Sequence, residues 1–400
     1  MKRKIPVEYL VAMIVPLSAC SLLLGGLPDG KGKDCTTTLT GLSLASATLS
    51  PEFDPDVMTY TADPVVISEL FSAKPATVTA TATTLCPDAY VTIADASAIS
   101  GSPSPPIGLR SGPNKICVVI ATPDRRRSTE YSVALTGHSS DYIKPSNTRE
   151  SAYFGHSVAL SGDTLAVGSR AESSKATGVN GNQDASQDGS GAVYVFGWTG
   201  ADWSQQAYIK ASNTSSGAQF GSSVALSGNT LVVGAPLESS DAVGVDGKKR
   251  NSEPVSSAGA VYVFTRTEAM WSQQAYVKAS NTRHDAQFGY SIALTGDLLA
   301  VGSPGESSNA TGVNGDDTNE FARGSGAVYV FRRMNGAAWR QQAYVKASNT
   351  RSDAQFGYSI ALTGDMLAVG SPGESSNATG VNGDQTNGSA LGSGAVYVFR

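Results

Sequence analysis

One seven-residue pattern returns four times and sets most of what this chain can become. Phe-Gly-x-Ser-(Val/Ile)-Ala-Leu begins at Phe154, Phe220, Phe288 and Phe356, at spacings of 66, 68 and 68 residues. Each copy continues through Gly-(Asp/Asn) and Leu-(Ala/Val)-Val-Gly, then a polar loop, then Gly-Ala-Val-Tyr-Val-Phe. The first three copies close on Trp and Gln-Gln-Ala-Tyr-(Ile/Val)-Lys-Ala-Ser-Asn-Thr. A fixed period of this length means that each copy is one small unit burying its apolar surface on its neighbours.

Each copy supplies four strand-like runs, which in the first copy fall at 157–160, 164–169, 191–196 and 205–211. Four antiparallel strands per repeat is the unit of a propeller blade. Alternation in Val193-Tyr194-Val195-Phe196 puts Val on one sheet face and aromatic rings on the other, as blades stacked face to face require. Abundant Gly (43 residues) and a charged fraction of only 16% fit short strands joined by tight turns. The fold class expected is therefore all-β: an N-terminal β-sandwich followed by a propeller of about four blades.

The repeat resembles the FG-GAP repeat of integrin α-subunits. Phe220-Gly221 and Gly234-Ala235-Pro236 carry the motif; Gly302-Ser303-Pro304 and Gly370-Ser371-Pro372 are close variants, and Gly168-Ser169-Arg170 departs. The resemblance spans 142–400 and implies a binding propeller. Its Ca²⁺ loop does not carry over. The connection after the first strand is only Ser161-Gly162-Asp163 and its counterparts, and one carboxylate cannot supply six to eight oxygens. The longer loops, such as Val313-Asn314-Gly315-Asp316-Asp317, leave Asn314, Asp316 and Asp317 as weak cation candidates. Asn-Gly turn chemistry is the plainer reading.

The last copy stops at Phe399-Arg400 without a fourth strand. Tyr142-Ile143-Lys144-Pro145-Ser146-Asn147-Thr148 matches Tyr208–Thr214 in register, with Lys144 ten residues before Phe154. That register suggests closure of a four-bladed ring by strand exchange, which removes exposed sheet edges. A longer array would carry the same leading segment.

The N-terminus reads as an export signal. Lys2, Arg3 and Lys4 precede a short apolar run from Tyr9 to Leu17, too short to span a bilayer. Leu17-Ser18-Ala19-Cys20 resembles the bacterial lipobox, which implies a signal peptide at 1–19 and acylation of Cys20. Ser21 then points to the outer membrane. Acyl chains anchor a protein without a transmembrane helix. Residues 20–37 are Gly-rich and read as a tether.

Period-two alternation over 38–137 gives a β-sandwich of strand-like runs such as Thr77–Ala82 and Ile116–Ile120. Leu49-Ser50-Pro51-Glu52-Phe53-Asp54-Pro55, Tyr60-Thr61, Gly112-Pro113-Asn114 and Tyr131-Ser132-Val133 resemble the cadherin-like module of bacterial surface proteins. That resemblance implies a spacer or adhesion role. Of the four cysteines, Cys86 and Cys117 are the preferred disulfide pair, with Cys35 an alternative partner for either. The propeller segment is taken as 138–400.

Catalytic chemistry lacks its parts. The three histidines (His138, His156, His284) occupy unlike repeat positions, and no His-x-x-x-His, Cys-x-x-Cys or Gly-x-Ser-x-Gly arrangement occurs. Glu172, Glu238, Glu306 and Glu374 each precede Ser-Ser; glycoside cleavage needs two acids in different environments, which a residue repeated in every blade does not offer. Trp203, Trp271 and Trp339 suit sugar stacking, but read more simply as packing anchors. A net charge of -5 and the short runs Arg125–Arg127 and Lys248–Arg250 give no nucleic-acid footprint. The expectation is an exported, membrane-anchored lipoprotein of the cell surface. It is no enzyme, needs no cofactor and binds a protein or glycan ligand through propeller loops. A hydrolase with its site on one propeller face, and an inert structural piece of an envelope complex, are the alternatives.

Overall fold

The computed structural model describes residues 37–400 except 46, 64, 67–76, 87, 110–111, 139–140, 185–187, 200–201, 249–253 and 337. The export signal, the tether, Cys20 and Cys35 lie outside the described residues. Among the described residues every regular element is a strand. The chain divides into Met1–Tyr142 and Ile143–Arg400.

In the first unit, strands Gly112–Ala121 and Ser128–His138 form a long antiparallel hairpin at the middle of a seven-stranded sheet. Thr59–Ala62 joins it in parallel with Ser128–His138. Alternation puts Ile116, Val118 and Ile120 on the buried face. They share one core with Leu39, Leu42 and Leu44 of a second, small sheet, Leu39–Leu44 paired with Ala80–Thr84. This is the two-layer arrangement expected of a sandwich. Tyr131, fully buried, ties the layers: its hydroxyl accepts from Leu39 N at 3.2 Å and donates to Pro55 O at 3.0 Å. Cys86 and Cys117 are both disulfide-bonded.

The second unit is four successive antiparallel sheets, one per repeat. The first comprises Phe154–Ser161, Thr164–Ser169, Ala192–Trp198 and Trp203–Ile209. The second comprises Ser223–Ser227, Thr230–Ala235, Ala260–Thr267 and Met270–Val277. The third comprises Ser291–Thr295, Leu298–Ser303, Ala327–Met334 and Ala338–Val345. The fourth has three strands, Ser359–Leu362, Leu367–Ser371 and Ala395–Phe399.

The Phe-Gly pair is the joint between consecutive sheets. Phe220 is fully buried, edge-on to Tyr262 and Phe264 of its own sheet at 5.2 and 6.2 Å. Its backbone bridges in parallel to Gly191 of the preceding sheet. Gly221 follows at φ +88°, where a Cβ would sit 2.5 Å from Ala192 O. Only glycine meets both demands. Ser157 Oγ closes the joint by donating to Gly221 O at 2.8 Å, and Ser223 and Ser291 repeat the bond to Gly289 and Gly357 at 2.7 Å.

The expected ring closure is not what the chain does. Tyr142–Thr148 forms no strand, and Lys144 is exposed. Val158 and Leu160 on the first sheet are each 65% exposed, and Val396 and Val398 on the fourth are 70% and 57% exposed, where their counterparts inside the stack are covered. Three joints of this geometry therefore do not bring the fourth sheet back onto the first. Register in the sequence fixes which strand matches which; it does not encode the angle between neighbouring sheets. Asn147 nonetheless docks on the first sheet as Asn213 docks on the second, its Oδ1 accepting from Tyr194 OH as Asn213 Oδ1 accepts from Tyr262 OH.

Candidate functional site

The repeated acids are consumed inside the blades. Glu172 lies in the turn after the second strand, and Lys210 immediately follows the fourth. Lys210 Nζ donates to Glu172 Oε2 at 2.9 Å and to Ser190 Oγ at 2.7 Å, with both charged side chains fully excluded from water. Tyr208 OH and Ser174 N donate to the same oxygen at 2.9 and 3.1 Å, and Asn147 Nδ2 reaches Oε1 at 3.1 Å. Burial alone would raise the Glu172 carboxyl, but Lys210 and these donors together hold it below its ordinary value. Lys278 with Glu238 at 2.8 Å and Lys346 with Glu306 at 2.7 Å repeat the pair. Glu374 keeps the amide of Ser376 and Asn349 Nδ2 but meets no lysine among the described residues. The paired acids Glu172, Glu238 and Glu306 are walled in by their lysines, so a substrate has no access to them as glycoside cleavage needs.

The repeated tryptophans are packing groups. Trp271 and Trp339 are 5% and 3% exposed. Arg266 and Arg333 lie over their rings at 5.3 and 5.4 Å and reach Thr164 and Thr230 of the preceding sheets at 3.0 Å. Trp203 is half-buried against Trp198 at 5.6 Å.

The long loops are built as turns. Asn180, Asp246, Asn314 and Asn382 all have φ between 51° and 56°. In the first three sheets the side-chain oxygen accepts the amide of Tyr208, Tyr276 or Tyr344 at 2.9 Å, pinning the loop to the fourth strand. Asp316 Oδ1 takes the amide and hydroxyl of Thr318 at 2.9 and 2.6 Å, and Asp317 Oδ2 accepts from Ser280 Oγ at 3.3 Å. Each of the three cation candidates thus has one side-chain oxygen engaged in a hydrogen bond within the protein. Among the described residues no group of three His, Cys, Asp or Glu is placed to hold a metal.

The regularity fails at one end of the first sheet. Where the other copies have Gln219, Gln287 and Gln355, the first has Tyr153; where they have Pro236, Pro304 and Pro372, it has Arg170; where they have Ser222, Tyr290 and Tyr358, it has His156. The pairing of Phe154 with Ser169 brings these three positions together. Arg170 lies over the Tyr153 ring at 5.3 Å, and His156 N donates to Tyr153 O at 3.1 Å.

A family model described as FG-GAP repeat matches residues 141–196, 203–264, 271–331 and 339–399. The chain belongs to the FG-GAP repeat family. No curated protein matches its sequence. A solved structure, the Bacteroides ovatus mixed-linkage glucan utilization locus protein SGBP-B in complex with mixed-linkage heptasaccharide, is 11% identical. That match covers 77% of this chain and 70% of that one at a TM-score of 0.15, a likeness too slight to bear on this protein.

The FG-GAP matches share the period of the sheets but are offset by one strand: 203–264, for example, takes in the fourth strand of the first sheet and the first three strands of the second. Other singled-out residues are accounted for locally. His284 Nδ1 accepts from Ser256 N at 3.1 Å, and Arg125 lies 4.3 Å over the Tyr90 ring. What the sequence reading missed is the destination of the repeated lysine and the convergence around Arg170. Its available signal was the Gly168-Ser169-Arg170 departure from the FG-GAP pattern.

Proposed function

We propose that this FG-GAP protein is a surface-exposed binding module rather than an enzyme. It is exported, held to an outer membrane by acyl chains on Cys20, and lifted off it by the tether and the N-terminal sandwich acting as a cadherin-like spacer. One observation carries the binding assignment. Each blade spends its own acid on internal bonds, while one end of the first sheet carries Tyr153, His156 and Arg170 where the other copies carry other residues, with Tyr153 58% exposed. In a repeat scaffold, identical positions build the stack and unlike exposed positions are free to recognise a partner. The partner is a protein or a glycan.

The test has two arms. Metabolic labelling with radioactive palmitate is expected to mark the full chain and not the Cys20→Ser variant; label retained on the variant removes the anchor. Full chain immobilised on beads is expected to retain material from matrix or envelope extracts. Loss of no adhesion phenotype on deleting the gene, together with no retained material, overturns the binding reading.

A further inference from the structure

The first and fourth sheets carry the two halves of one joint. Residues 145–148 already hold on the first sheet the place that 211–214 hold on the second. Ser146 N donates to Gln205 Oε1 at 3.0 Å. Asn147 Nδ2 donates to Glu172 Oε1 at 3.1 Å, as Asn213 Nδ2 does to Glu238 Oε1 at 3.0 Å. Thr148 Oγ1 donates to Pro145 O at 3.3 Å, the bond that Thr214 makes to Ala211 O at 2.9 Å. Ile143 packs on the cluster of Tyr194 and Phe196, as Ile209 shares one with Tyr262 and Phe264. Yet Tyr208 and Lys210 are buried against their own sheet, whereas Tyr142 is 88% exposed and Lys144 is exposed as well. Residues 142–144 thus lie where a last strand lies, with no sheet of their own beside them.

The fourth sheet shows the opposite half. Ala395–Phe399 pairs with Leu367–Ser371 on one side and with no strand on the other, the side on which Ala192–Trp198 pairs with Trp203–Ile209. A groove of about 850 Å³ runs along that open edge, lined by Glu374, Ser376, Val381, Asn382, Tyr397 and Val398. Glu374 is 3% exposed and accepts from the Ser376 amide, the Ser376 hydroxyl and Asn349. Its counterparts each hold a lysine as well, Lys210, Lys278 or Lys346. A buried carboxylate is costly to keep, and an incoming ammonium relieves it. Val381 is 92% exposed, where Val179, Val245 and Val313 bridge to Ile209, Val277 and Val345. The apolar faces match too. Val396 and Val398 stand exposed where Val193 and Val195 are fully covered. Val158 and Leu160 stand exposed where Val224 and Leu226 pack against the cluster that holds Val193 and Val195.

We propose that copies of this chain associate head to tail, residues 142–144 of one copy adding to Ala395–Phe399 of another as its fourth strand. Lys144 then reaches Glu374 as Lys210 reaches Glu172, Tyr142 takes the place of Tyr208, and Ile143 lies opposite Val381. Pro145 suits the role, because the residue before a proline is held extended. Strand addition to an open sheet edge draws affinity from main-chain bonds and specificity from alternate side chains. The occupant is a second copy because one chain carries both halves, acid and lysine, groove and strand, and each contact has its counterpart inside the chain. Such a contact is heterologous, so it closes into a ring where the rotation per copy allows and otherwise extends as a filament. The association is separate from the surface-binding reading and does not rest on it.

The experiment is sedimentation equilibrium of the full chain carrying Cys20→Ser, which removes association through acyl chains, at concentrations up to about 100 µM. Species above the monomer mass are expected. Lys144→Glu sets a carboxylate against Glu374, and Val396→Asp puts a charge into the apolar contact. Both positions are exposed, so neither change threatens the fold. Each is expected to weaken association at least about tenfold. One variant spoils the strand-giving end and the other the receiving end. An equimolar mixture of the two therefore keeps one intact joint and is expected to regain a two-chain species. A monomer at every concentration overturns the proposal; if that monomer still retains extract material, its ends serve foreign partners and the surface-binding reading stands. Association that survives in either variant overturns it as well, because it comes from another face. So does a mixture that stays monomeric, since only a contact between unlike ends is restored by mixing.

Discussion

Lys278 Nζ sits 2.8 Å from Glu238 Oε2, with the lysine fully excluded from water and the glutamate 3% exposed. Forty residues separate them in the chain, and the bond closes the fourth strand of a blade onto the turn after its second. Taking both charges out of water costs several kcal/mol, which their attraction and their other hydrogen bonds offset only while both remain.

Removing one partner is therefore worse than removing both. Lys278→Met leaves Glu238 as a buried, uncompensated carboxylate and is expected to cost about 3–5 kcal/mol. Adding Glu238→Gln should recover much of that loss, since Gln still accepts from Asn213. Urea unfolding of the three variants beside the native chain measures it; a double variant as unstable as the sum of the single ones contradicts the coupling.

The glycines separate close approach from turn conformation. Gly221 combines φ +88° with a carbonyl 2.5 Å from where a Cβ would be. Gly228 has φ +55° and nothing within 4 Å. Gly228→Ala is expected to cost about 1–2 kcal/mol for the left-handed backbone alone. Gly221→Ala forces the two sheets apart and should cost clearly more, read as a lower midpoint in the same unfolding experiment. Equal losses would mean the joint is looser than its geometry.

Much of this was legible because repetition reports burial indirectly. Phe220, Phe288 and Phe356 are invariant in the repeat and fully buried, and the Asn-Gly loops turned out to be turns. The lysines were visible only as register markers. A long cationic side chain is ordinarily read as solvated, and its acid lies nearly forty residues earlier, so no local pattern shows the pair. Tyr142–Thr148 matched its strand in sequence yet did not close a ring, because the turn per joint depends on how side chains such as Val224 and Leu226 pack against the preceding sheet. The Arg170 end was hidden for a different reason: it is an exception to the repeat, with Tyr153, His156 and Arg170 at positions where the other copies carry Gln, Ser or Tyr, and Pro.

Acid should act on the first blade through Glu172. Its carboxyl is lowered in the fold, mainly by Lys210 working against burial. A group whose folded value is depressed stabilises fully above its unfolded value, about 4.3 for glutamate, and loses that contribution as pH falls through the folded one. Stability of the native chain is therefore expected to be flat above about pH 5 from this source and to decline below about pH 4. Glu172→Gln, already destabilised, should show a shallower decline. Parallel slopes would remove Glu172 from the acid response.

If the tryptophans are packing groups, removing one should be felt in stability and not in recognition. Trp271 is 5% exposed beneath Arg266. Trp271→Ala is expected to cost about 3–5 kcal/mol, as large-to-small core changes do. Its retention of extract material, measured below its unfolding midpoint, should match the native chain. Lost retention with an unchanged midpoint would restore Trp271 as a contact residue.

The N-terminal unit carries its own chemical test. Cys86 and Cys117 are disulfide-bonded, Cys86 at 4% exposure beside the edge of the small sheet and Cys117 within the central strand Gly112–Ala121. Alkylation of unreduced, denatured chain followed by peptide mass analysis should leave both unlabelled. Crosslinks restrict the unfolded chain, so reduction is expected to lower the stability of the sandwich by about 2–4 kcal/mol. The transition of the repeats, none of which contains cysteine, should stay where it was. Label on either residue before reduction, or a shift of the repeat transition with it, would contradict the assignment.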